Sequence, residues 1–419
     1  MLELPFSLTE GRAALTRLML VLATSASVLG CGKSSMNGTA AMGGDGAKAG
    51  SGGGGRGGQS NDGGTVGDAG QGSDSGAGAG AGAGGNGAAA TWQIVGTPGF
   101  SGERVDWLSL VFAGASPHVV VREQGRAVVM RFNGNSWVSV GGPVVAGEIF
   151  NPSLAFSDST PYVAFAETVT GAKASVRRFD GSTWVNVGSP GFSDGSADST
   201  TIAFSGTTPY IAFQEATTRL QGTMMRFDGT SWSKAGGSFS EKAAFSPSFA
   251  ISGTTPYVAF RDTARAMKVT VTRFDGSAWV NVGSPGFSEA GTEALSLAVS
   301  GDTPHVALRD SAHDKKVTVM RFDGSAWVHV GSPGFSAGAV DSFSLALSSA
   351  TPHLAFSDTA NGSKATLQRF DGSTWVNVGS PGFSPGAAAN VSLAFSGTTP
   401  YVAFRDEAND AKVTVMRFE

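Results

Sequence analysis

Seven carboxylates that recur at one position of a repeated unit are the residues of this sequence with the clearest potential for chemistry. Each ends the second of four short apolar runs: Glu123, Glu167, Glu215, Asp262, Asp310, Asp358 and Asp406. Seven carboxylates at one level of a ring could bind a cation. However, most units have a Lys at the start of the third run (Lys173, Lys268, Lys316, Lys364 and Lys412), and every third run carries an Arg. We therefore expect local ion pairs that hold the units together, and no metal site.

The five histidines offer no ligand set for a metal or a cofactor. Three of them share a slot that Tyr fills in the other units: His118, His305 and His353, against Tyr162, Tyr210, Tyr257 and Tyr401. This exchange favours an ordinary strand position for all seven rings. His313 and His329 are isolated in sequence, and no His/Asp/Glu cluster has metal-ligand spacing. The sequence predicts no cofactor.

A second recurring carboxylate lies in an Asp-Gly turn before a Trp, as in the segment Arg178–Trp184, which reads Arg-Phe-Asp-Gly-Ser-Thr-Trp. The turn resembles the Asp-box of sialidase-type propellers in position and composition. It departs from that pattern because Asp and Gly are adjacent here, whereas the family separates them by one residue. The resemblance implies a structural role, in which the carboxylate accepts backbone N–H groups and the indole packs beside it.

The residues that a sialidase-like enzyme would need belong to the repeat. Such a site requires a Tyr nucleophile with a carboxylate partner and an arginine cluster that no repeat explains. All four Tyr and the Arg of every third run are repeat residues, and G-x-S-x-G, H-E-x-x-H and phosphate-loop motifs are absent. The sequence therefore favours a binding protein over an enzyme, and a hydrolase on the same fold is the alternative.

These residues sit on a unit that occurs seven times between residues 91 and 419. Its marker is Trp92, Trp137, Trp184, Trp232, Trp279, Trp327 and Trp375, with a spacing of 45 to 48 residues. A period of this length is typical of propellers and solenoids. Four runs rich in β-branched and aromatic residues, separated by turn residues, predict four strands and no helix per unit. The fold predicted is an all-β, seven-bladed β-propeller.

The strands at which the repeat region begins and ends favour a closed ring. The repeat region begins with a fourth-strand fragment, Thr91–Gly96, and ends after a third strand, Lys412–Phe418. We expect the N-terminal strand to complete the last blade, which removes the open edges of the ring. An open β-solenoid, the alternative, would gain nothing from this offset and would need polar caps.

The N-terminal segment resembles a bacterial lipoprotein signal. Arg12 and Arg17 precede an apolar stretch, and the segment Val28–Cys31 resembles a lipobox around the sole cysteine of the chain. The resemblance implies a cleaved signal peptide at 1–30, lipidation of Cys31, membrane attachment through that lipid and, because Gly32 follows, the outer membrane of the cell envelope. An ordinary secretory signal with a chance cysteine is the alternative reading.

Residues 31–90 carry the lipidated Cys and a linker predicted to be disordered, since 24 of the 59 residues from 32 to 90 are Gly and none is aromatic. The linker is either a tether that gives reach or low-complexity filler. The net charge of −4 lacks the basic excess of proteins that bind phosphate backbones, so nucleic acid is excluded as an expected partner.

The two ends of the propeller differ in how much they vary. First-to-second and third-to-fourth turns meet at one end, here called the turn face, and they are nearly uniform. Second-to-third loops and blade connections meet at the other end, the loop face, and they vary, either because they bind a ligand or through neutral drift. The candidate ligand-binding residues lie there: Glu148, Phe150, Glu241, Lys242, Phe245, His313 and Lys315. The sequence thus predicts a lipid-anchored envelope module that binds a glycan or another envelope protein, with an envelope hydrolase on the same face as the alternative.

Overall fold

The computed structural model describes residues 90–419. The signal peptide predicted at 1–30, the lipidation of Cys31 and the linker up to residue 89 lie outside the described residues. Within residues 90–419, no helix is long and apolar enough to cross a membrane.

Twenty-eight strands form seven four-stranded antiparallel sheets in the described part of the chain. The strands follow the chain as β1 (Trp92–Ile94); blade 1, β2 (Val105–Ala113), β3 (Ser116–Glu123), β4 (Arg126–Phe132) and β5 (Trp137–Pro143); blade 2, β6 (Ile149–Ser157), β7 (Thr160–Glu167), β8 (Lys173–Phe179) and β9 (Trp184–Asn186); blade 3, β10 (Ala197–Ser205), β11 (Thr208–Glu215), β12 (Gln221–Phe227) and β13 (Trp232–Lys234); blade 4, β14 (Ala244–Ser252), β15 (Thr255–Asp262), β16 (Lys268–Phe274) and β17 (Trp279–Asn281); blade 5, β18 (Thr292–Ser300), β19 (Thr303–Asp310), β20 (Lys316–Phe322) and β21 (Trp327–His329); blade 6, β22 (Val340–Ser348), β23 (Thr351–Asp358), β24 (Lys364–Phe370) and β25 (Trp375–Asn377); and blade 7, β26 (Ala388–Ser396), β27 (Thr399–Asp406) and β28 (Lys412–Phe418).

The N-terminal strand completes blade 7, as the sequence predicts. β1 pairs antiparallel with β28, and Trp92 lies opposite Phe418 while Ile94 lies opposite Met416. The first strands of neighbouring blades also contact one another in an unbroken cycle that returns from β26 to β2. The seven-bladed propeller is therefore confirmed, and the chain forms a closed ring.

The hydrophobic core lies between blades, because each blade is covered on both faces by its neighbours. One cluster joins Ala164 and Val176 of blade 2 to Ile202, Ile211 and Phe213 of blade 3. Phe213 is fully buried, and burial of such a side chain contributes about 2 kcal/mol. This double coverage explains why the second strands are almost continuously apolar and do not alternate.

Each marker Trp joins its own blade to the preceding one. The indole N–H of Trp184 donates to the carbonyl of Val140 at 2.9 Å, and that of Trp92 donates to Val378 at 3.0 Å. The same bond occurs at all seven interfaces. A Phe from the preceding blade connection stacks on most of these indoles, as Phe383 does on Trp92 with ring centroids 3.8 Å apart. The period read from Trp is therefore the period of the blade-to-blade contact.

A set of serine hydroxyls makes the matching contact on the first strands, next to the axis. Each accepts a backbone N–H from the first strand of the following blade; for example, Ser248 accepts from Leu297 at 3.0 Å. Five serines take part: Ser153, Ser248, Ser296, Ser344 and Ser392. Neighbouring blades are thus hydrogen-bonded at their inner strands as well as through the outer indoles.

The prediction that the repeat contains no helix is wrong in the second-to-third loops. Six of the seven described loops wind into one 3-10 turn: η1 (Thr168–Thr170), η2 (Ala216–Thr218), η3 (Thr263–Arg265), η4 (Ser311–His313), η5 (Thr359–Asn361) and η6 (Glu407–Asn409). In η3 to η6 the last Asp of the second strand accepts the backbone N–H two residues later. A capping carboxylate next to a short polar loop favours such a turn.

Candidate functional site

Six of the seven recurring carboxylates are buried, and hydroxyl and amide groups donate hydrogen bonds to them; the seventh, Glu123, is half-buried and accepts the Glu103 N–H at 3.0 Å. Asp262, at 1% exposure, accepts the Thr270 hydroxyl at 2.9 Å and the Ala264 N–H at 2.9 Å. Glu167 accepts the Ser175 hydroxyl at 2.8 Å in the same way. Hydroxyl bonds of this kind also reach Glu215, Asp310 and Asp406. These carboxylates fix the loops of the loop face in place.

The expected ion pairs with the third-strand lysines are not what secures these carboxylates. Lys173 lies directly across from Glu167 in the strand register, yet the two make no ion pair within 4 Å. The ion pairs that do form come from loop or fourth-strand residues, Arg265 with Asp262 and Lys234 with Glu215, and the Nδ1 of His313 lies within hydrogen-bond distance of Asp310 at 2.9 Å. Because a buried ammonium costs several kcal/mol to desolvate, neutral hydroxyl donors are preferred beside the buried acid. In the described part of the chain, no group of three His, Cys, Asp or Glu side chains is placed to hold a metal ion.

A second set of residues, most of them polar, surrounds the axis where the first strands begin, on the loop face; we call it the inner rim. It combines the second residue of each first strand with the penultimate residue of each second strand. The first-strand members are Asp106, Phe150, Asp198, Phe245, Glu293, Asp341 and Ala389. The second-strand members are Arg122, Ala166, Gln214, Arg261, Arg309, Ser357 and Arg405. Both positions change in charge and size from blade to blade, and the second-strand position does so between neighbours that scarcely change.

Arg122 connects blades 1 and 2 at the inner rim. Its guanidinium donates to Asp106 of its own blade and to the Ile149 carbonyl of the next blade, the latter at 2.7 Å. It also lies 3.4 Å from a Glu148 carboxylate oxygen and 5.4 Å from the centre of the Phe150 ring. The Arg122 side chain is 18% exposed, whereas Asp106 and Glu148 remain more than half exposed. The result is an aromatic ring, a cation and two accessible carboxylates in one place.

Arg309 makes a similar connection between blades 5 and 6. Its guanidinium lies 2.9 Å from Glu293 and 3.3 Å from Asp341 of the following blade. Lys315 of the neighbouring loop approaches the other oxygen of Glu293 at 3.2 Å. This side of the inner rim carries alternating charge without an aromatic ring, so it differs chemically from the Arg122 side.

Blade 3 contributes a carboxylate that is largely withdrawn from water. Asp198 accepts hydrogen bonds from the side-chain amide of Asn151 at 2.6 Å and from the backbone N–H of the next residue, Ser199, at 2.7 Å. Burial raises the pKa of Asp198, although these hydrogen bonds oppose the shift. Partial desolvation also raises the pKa of Asp106, although its side chain is 55% exposed, and Arg122 acts in the opposite direction. Both groups lie at a β-bulge or register shift of their first strands, which turns side chains toward the rim.

The structure places the predicted site residues in three groups on the loop face. Glu148 and Phe150 meet at Arg122, and Phe150 is 38% exposed. Glu241 pairs with Arg265 at 3.1 Å, while Lys242 is exposed and Phe245 lies opposite Arg261. His313 Nδ1 lies 2.9 Å from a carboxylate oxygen of Asp310, and Lys315 forms an ion pair with Glu293. Each group therefore contacts an inner-rim residue or a recurring carboxylate.

Sequence reasoning missed the arginines and acids of the inner rim. A signal for them exists, because the penultimate residue of the second strand reads Arg, Ala, Gln, Arg, Arg, Ser and Arg across the seven blades while its neighbours scarcely change. A position that varies inside a uniform strand marks a place where the repeat does not dictate the side chain. The strand pattern alone does not show that these positions surround the axis.

The turn face is built as the sequence predicts. Asp180 accepts the N–H groups of Ser182 and Thr183 at 2.9 and 2.8 Å, and these bonds lower the pKa of Asp180 to about 2. Asp323 and Asp371 make the same turn, also with a pKa of about 2. The carboxylate therefore stabilises the turn, while the following Trp donates its hydrogen bond to the preceding blade.

The Tyr and His rings of the shared slot are strand residues that pack between blades. Tyr162 lies edge-on to Phe204 with centroids 4.9 Å apart, and His353 packs likewise on Phe395. Burial lowers the pKa of His305 to about 4 and also lowers the pKa of His118 and His353. These histidines are neutral at physiological pH.

No protein-family model matches the sequence, and no curated protein matches it. Among solved structures, the chain is similar to SapL1 lectin in complex with α-methyl fucoside, at 16% identity over 68% of this chain and 97% of that chain, with a TM-score of 0.46. It is similar to Aleuria aurantia lectin in complex with Fucα1-6GlcNAc, at 13% identity over 69% and 99%, with a TM-score of 0.46. It is also similar to a Hadza microbial sialidase, at 15% identity over 73% of each chain, with a TM-score of 0.44. These similarities assign no ligand or reaction to this chain.

Proposed function

We propose that this chain is a lipid-anchored binding module of a bacterial cell envelope and that the inner rim of its loop face binds a glycan. Cys31 would carry the anchor, and the linker after it would hold the propeller away from the lipid surface. The observation that carries the glycan proposal is the Arg122 side of the rim. There an exposed Phe150 ring lies under a guanidinium, beside the carboxylates of Asp106 and Glu148.

This combination suits a sugar because a pyranose presents both an apolar C–H face and a set of hydroxyls. An exposed aromatic ring packs against the C–H face, while carboxylates accept hydroxyl protons and a guanidinium donates to ring or hydroxyl oxygens. The inner rim also differs between blades, so a sevenfold scaffold offers one distinctive place. Rigid strands on either side hold these groups without the ordering cost of a mobile loop.

The test is a glycan array probed with the full chain and with Phe150→Ser. We expect a defined set of glycans to bind the wild type and their signal to fall about tenfold or more in the variant, because the stacking ring is lost. Ile94→Ser is the matched control, since Ile94 is 40% exposed but lies on the outer fourth strand of blade 7.

Two outcomes would contradict the proposal. One is an array without a bound glycan, accompanied by specific capture of an envelope protein, which would assign the loop face to a protein partner. The other is an equal loss of signal in the Phe150 and Ile94 variants, which would show that exposed apolar area, and not the inner rim, drives binding.

A further inference from the structure

A cleft on the turn face lies between blades 5 and 6, on the opposite side of the ring from the inner rim. It has a volume of about 290 Å³, close to the lower end of small-ligand pockets. Its lining combines polar groups, namely Ser300, Thr303, His305 and Arg321, with an apolar wall of Val330, Ala350, Pro352 and Phe370. A cleft of this size and composition suits a ligand about as large as a monosaccharide.

The turn that opens this cleft is unlike its counterparts. Ser349 and Ala350 both have positive φ, at 48° and 67°. In the other six described first-to-second turns, one residue has positive φ, and it is Gly in five of them. Two consecutive non-glycine residues in the left-handed region cost about 1 kcal/mol or more each. Among the described first-to-second turns such a pair occurs only in blade 6, although four second-to-third loops also contain one, as at Arg219 and Leu220. The pair sets the backbone that brings Ala350 into the wall of the cleft.

Ala350 contributes no carboxylate to the cleft, as at the equivalent position of five of the other six first-to-second turns, and the carboxylate that interacts with the charge of Arg321 is Asp323 of the adjacent third-to-fourth turn. In the preceding interface the equivalent position is Asp302, whose charge acts together with that of Arg273 on Tyr257. In the cleft, the side chain at that position is a methyl group, and Arg321 makes no ion pair within 4 Å among residues 90–419. Arg321 is exposed, so its guanidinium is available to a ligand.

His305 completes the set as a hydrogen-bond acceptor. Its Nδ1 lies 3.2 Å from the carbonyl oxygen of Thr303, and because a carbonyl only accepts, Nδ1 carries the proton. The ring is neutral, since burial lowers the pKa of His305 to about 4, so Nε2 is left as an acceptor. The cleft therefore offers a guanidinium for a carboxylate, an imidazole nitrogen for a hydroxyl, and an apolar wall for C–H groups.

We propose that the cleft between blades 5 and 6 binds a hexuronic acid residue, with its carboxylate on Arg321, a hydroxyl on His305 and its C–H face against Pro352 and Phe370. This site is separate from the proposed loop-face function, because it uses the opposite face and different blades. It adds a small acidic sugar to the ligands of the propeller.

The experiment measures binding of D-glucuronate to the full chain by saturation-transfer NMR and titration, with D-glucose as the neutral analogue. We expect glucuronate to bind and glucose to bind about tenfold more weakly or not at all. Arg321→Gln removes the guanidinium, and Ala350→Asp restores the carboxylate that blade 5 carries. Both variants should weaken glucuronate binding about tenfold or more.

Matched controls separate the site from general effects of charge and stability. Arg273→Gln makes the same change in the interface where Asp302 is present, and Ala115→Asp makes the same change in the turn of blade 1. Both should leave glucuronate binding unchanged, and near-UV circular dichroism should show all four variants folded. Phe150→Ser should also leave glucuronate binding unchanged, which distinguishes this site from the loop-face proposal.

Three outcomes would overturn the proposal. They are the absence of saturation transfer at about 10 mM glucuronate, a concentration high enough to reveal a millimolar site; equal binding of glucose and glucuronate; and retention of binding in folded Arg321→Gln protein.

Discussion

Removal of the strand that completes blade 7 tests the closed ring most directly. Deleting the segment Thr91–Gly96 leaves β26 to β28 as a three-stranded blade with an open edge. The loss includes the backbone bonds between Thr91 and Glu419 at 2.7 and 3.1 Å and the bond from Val95 to Val415 at 2.8 Å. It also includes the Trp92 indole, which donates to Val378 and stacks on Phe383.

The expected destabilisation follows from these contacts. Truncation of a packed Trp, its indole hydrogen bond included, costs about 4 kcal/mol, and each of the three lost backbone hydrogen bonds adds about 1 kcal/mol, so the sum is about 7 kcal/mol. With an unfolding entropy of about 2.1 cal/mol/K per residue over roughly 330 residues, 1 kcal/mol corresponds to about 1.4 °C. The melting temperature should therefore fall by about 10 °C.

Differential scanning calorimetry measures the melting temperature, and light scattering measures self-association through the exposed edge of β28. The control is deletion of six residues, 79–84, from the Gly-rich segment, which should change neither quantity. Equal melting temperatures for the two deletions would refute the closed ring as the source of stability.

Three further predictions concern the anchor, the loop face and pH. Cys31→Ser should leave the protein in the aqueous phase of a detergent partition, and continued partition with membranes would contradict the lipid anchor. Replacing the connection at 148–151 or at 241–244 by the commoner Ser-Pro-Gly-Phe-Ser form should preserve folding and weaken glycan binding on the array; unchanged binding with both swaps would show that the loop face is the wrong face. Stability should fall as the pH drops from about 6.5 towards 4, because the unfolded chain protonates His305 and the folded chain does not, a contribution of about 3 kcal/mol. His305→Tyr, which places the ring found in four other blades, should reduce this dependence in urea titrations at pH 7 and pH 4.5, and an unchanged dependence would contradict the assignment.

The fold could be predicted from the sequence because the residue that marks the repeat, Trp, is also the residue that makes the contact between blades. Trp marks the unit, and its indole bonds the preceding blade, so the spacing of Trp counts the interfaces. The fourth-strand fragment around Trp92 then predicted closure, and in the structure it pairs with the edge of β28. Turn chemistry at Asp180 was equally local and equally predictable.

The polar contacts were less predictable because they depend on side-chain direction and burial. Lys173 and Glu167 are cross-strand neighbours, yet the buried carboxylate accepts the Ser175 hydroxyl while Lys173 is half-buried and makes no ion pair with Glu167. Arg122 was overlooked because its contacts with Ile149, Glu148 and Phe150 come from the next blade and depend on the inner-strand geometry. The turn at Ala350 gave no sequence signal, since Ser-Ala is an ordinary pair whose unusual φ is visible only in the backbone.

The uniformity of the indole bonds has a consequence for how this architecture changes over time. Since every blade offers its neighbour a backbone carbonyl for the marker indole, the indole bond by itself does not identify which blade stands beside it. A duplicated or exchanged repeat would meet compatible partners on both sides, and its residues on the loop face and at the inner rim would arrive as one package. New recognition surfaces can therefore be assembled by shuffling whole units, while the closing strand preserves a ring of whatever size the inner strands allow.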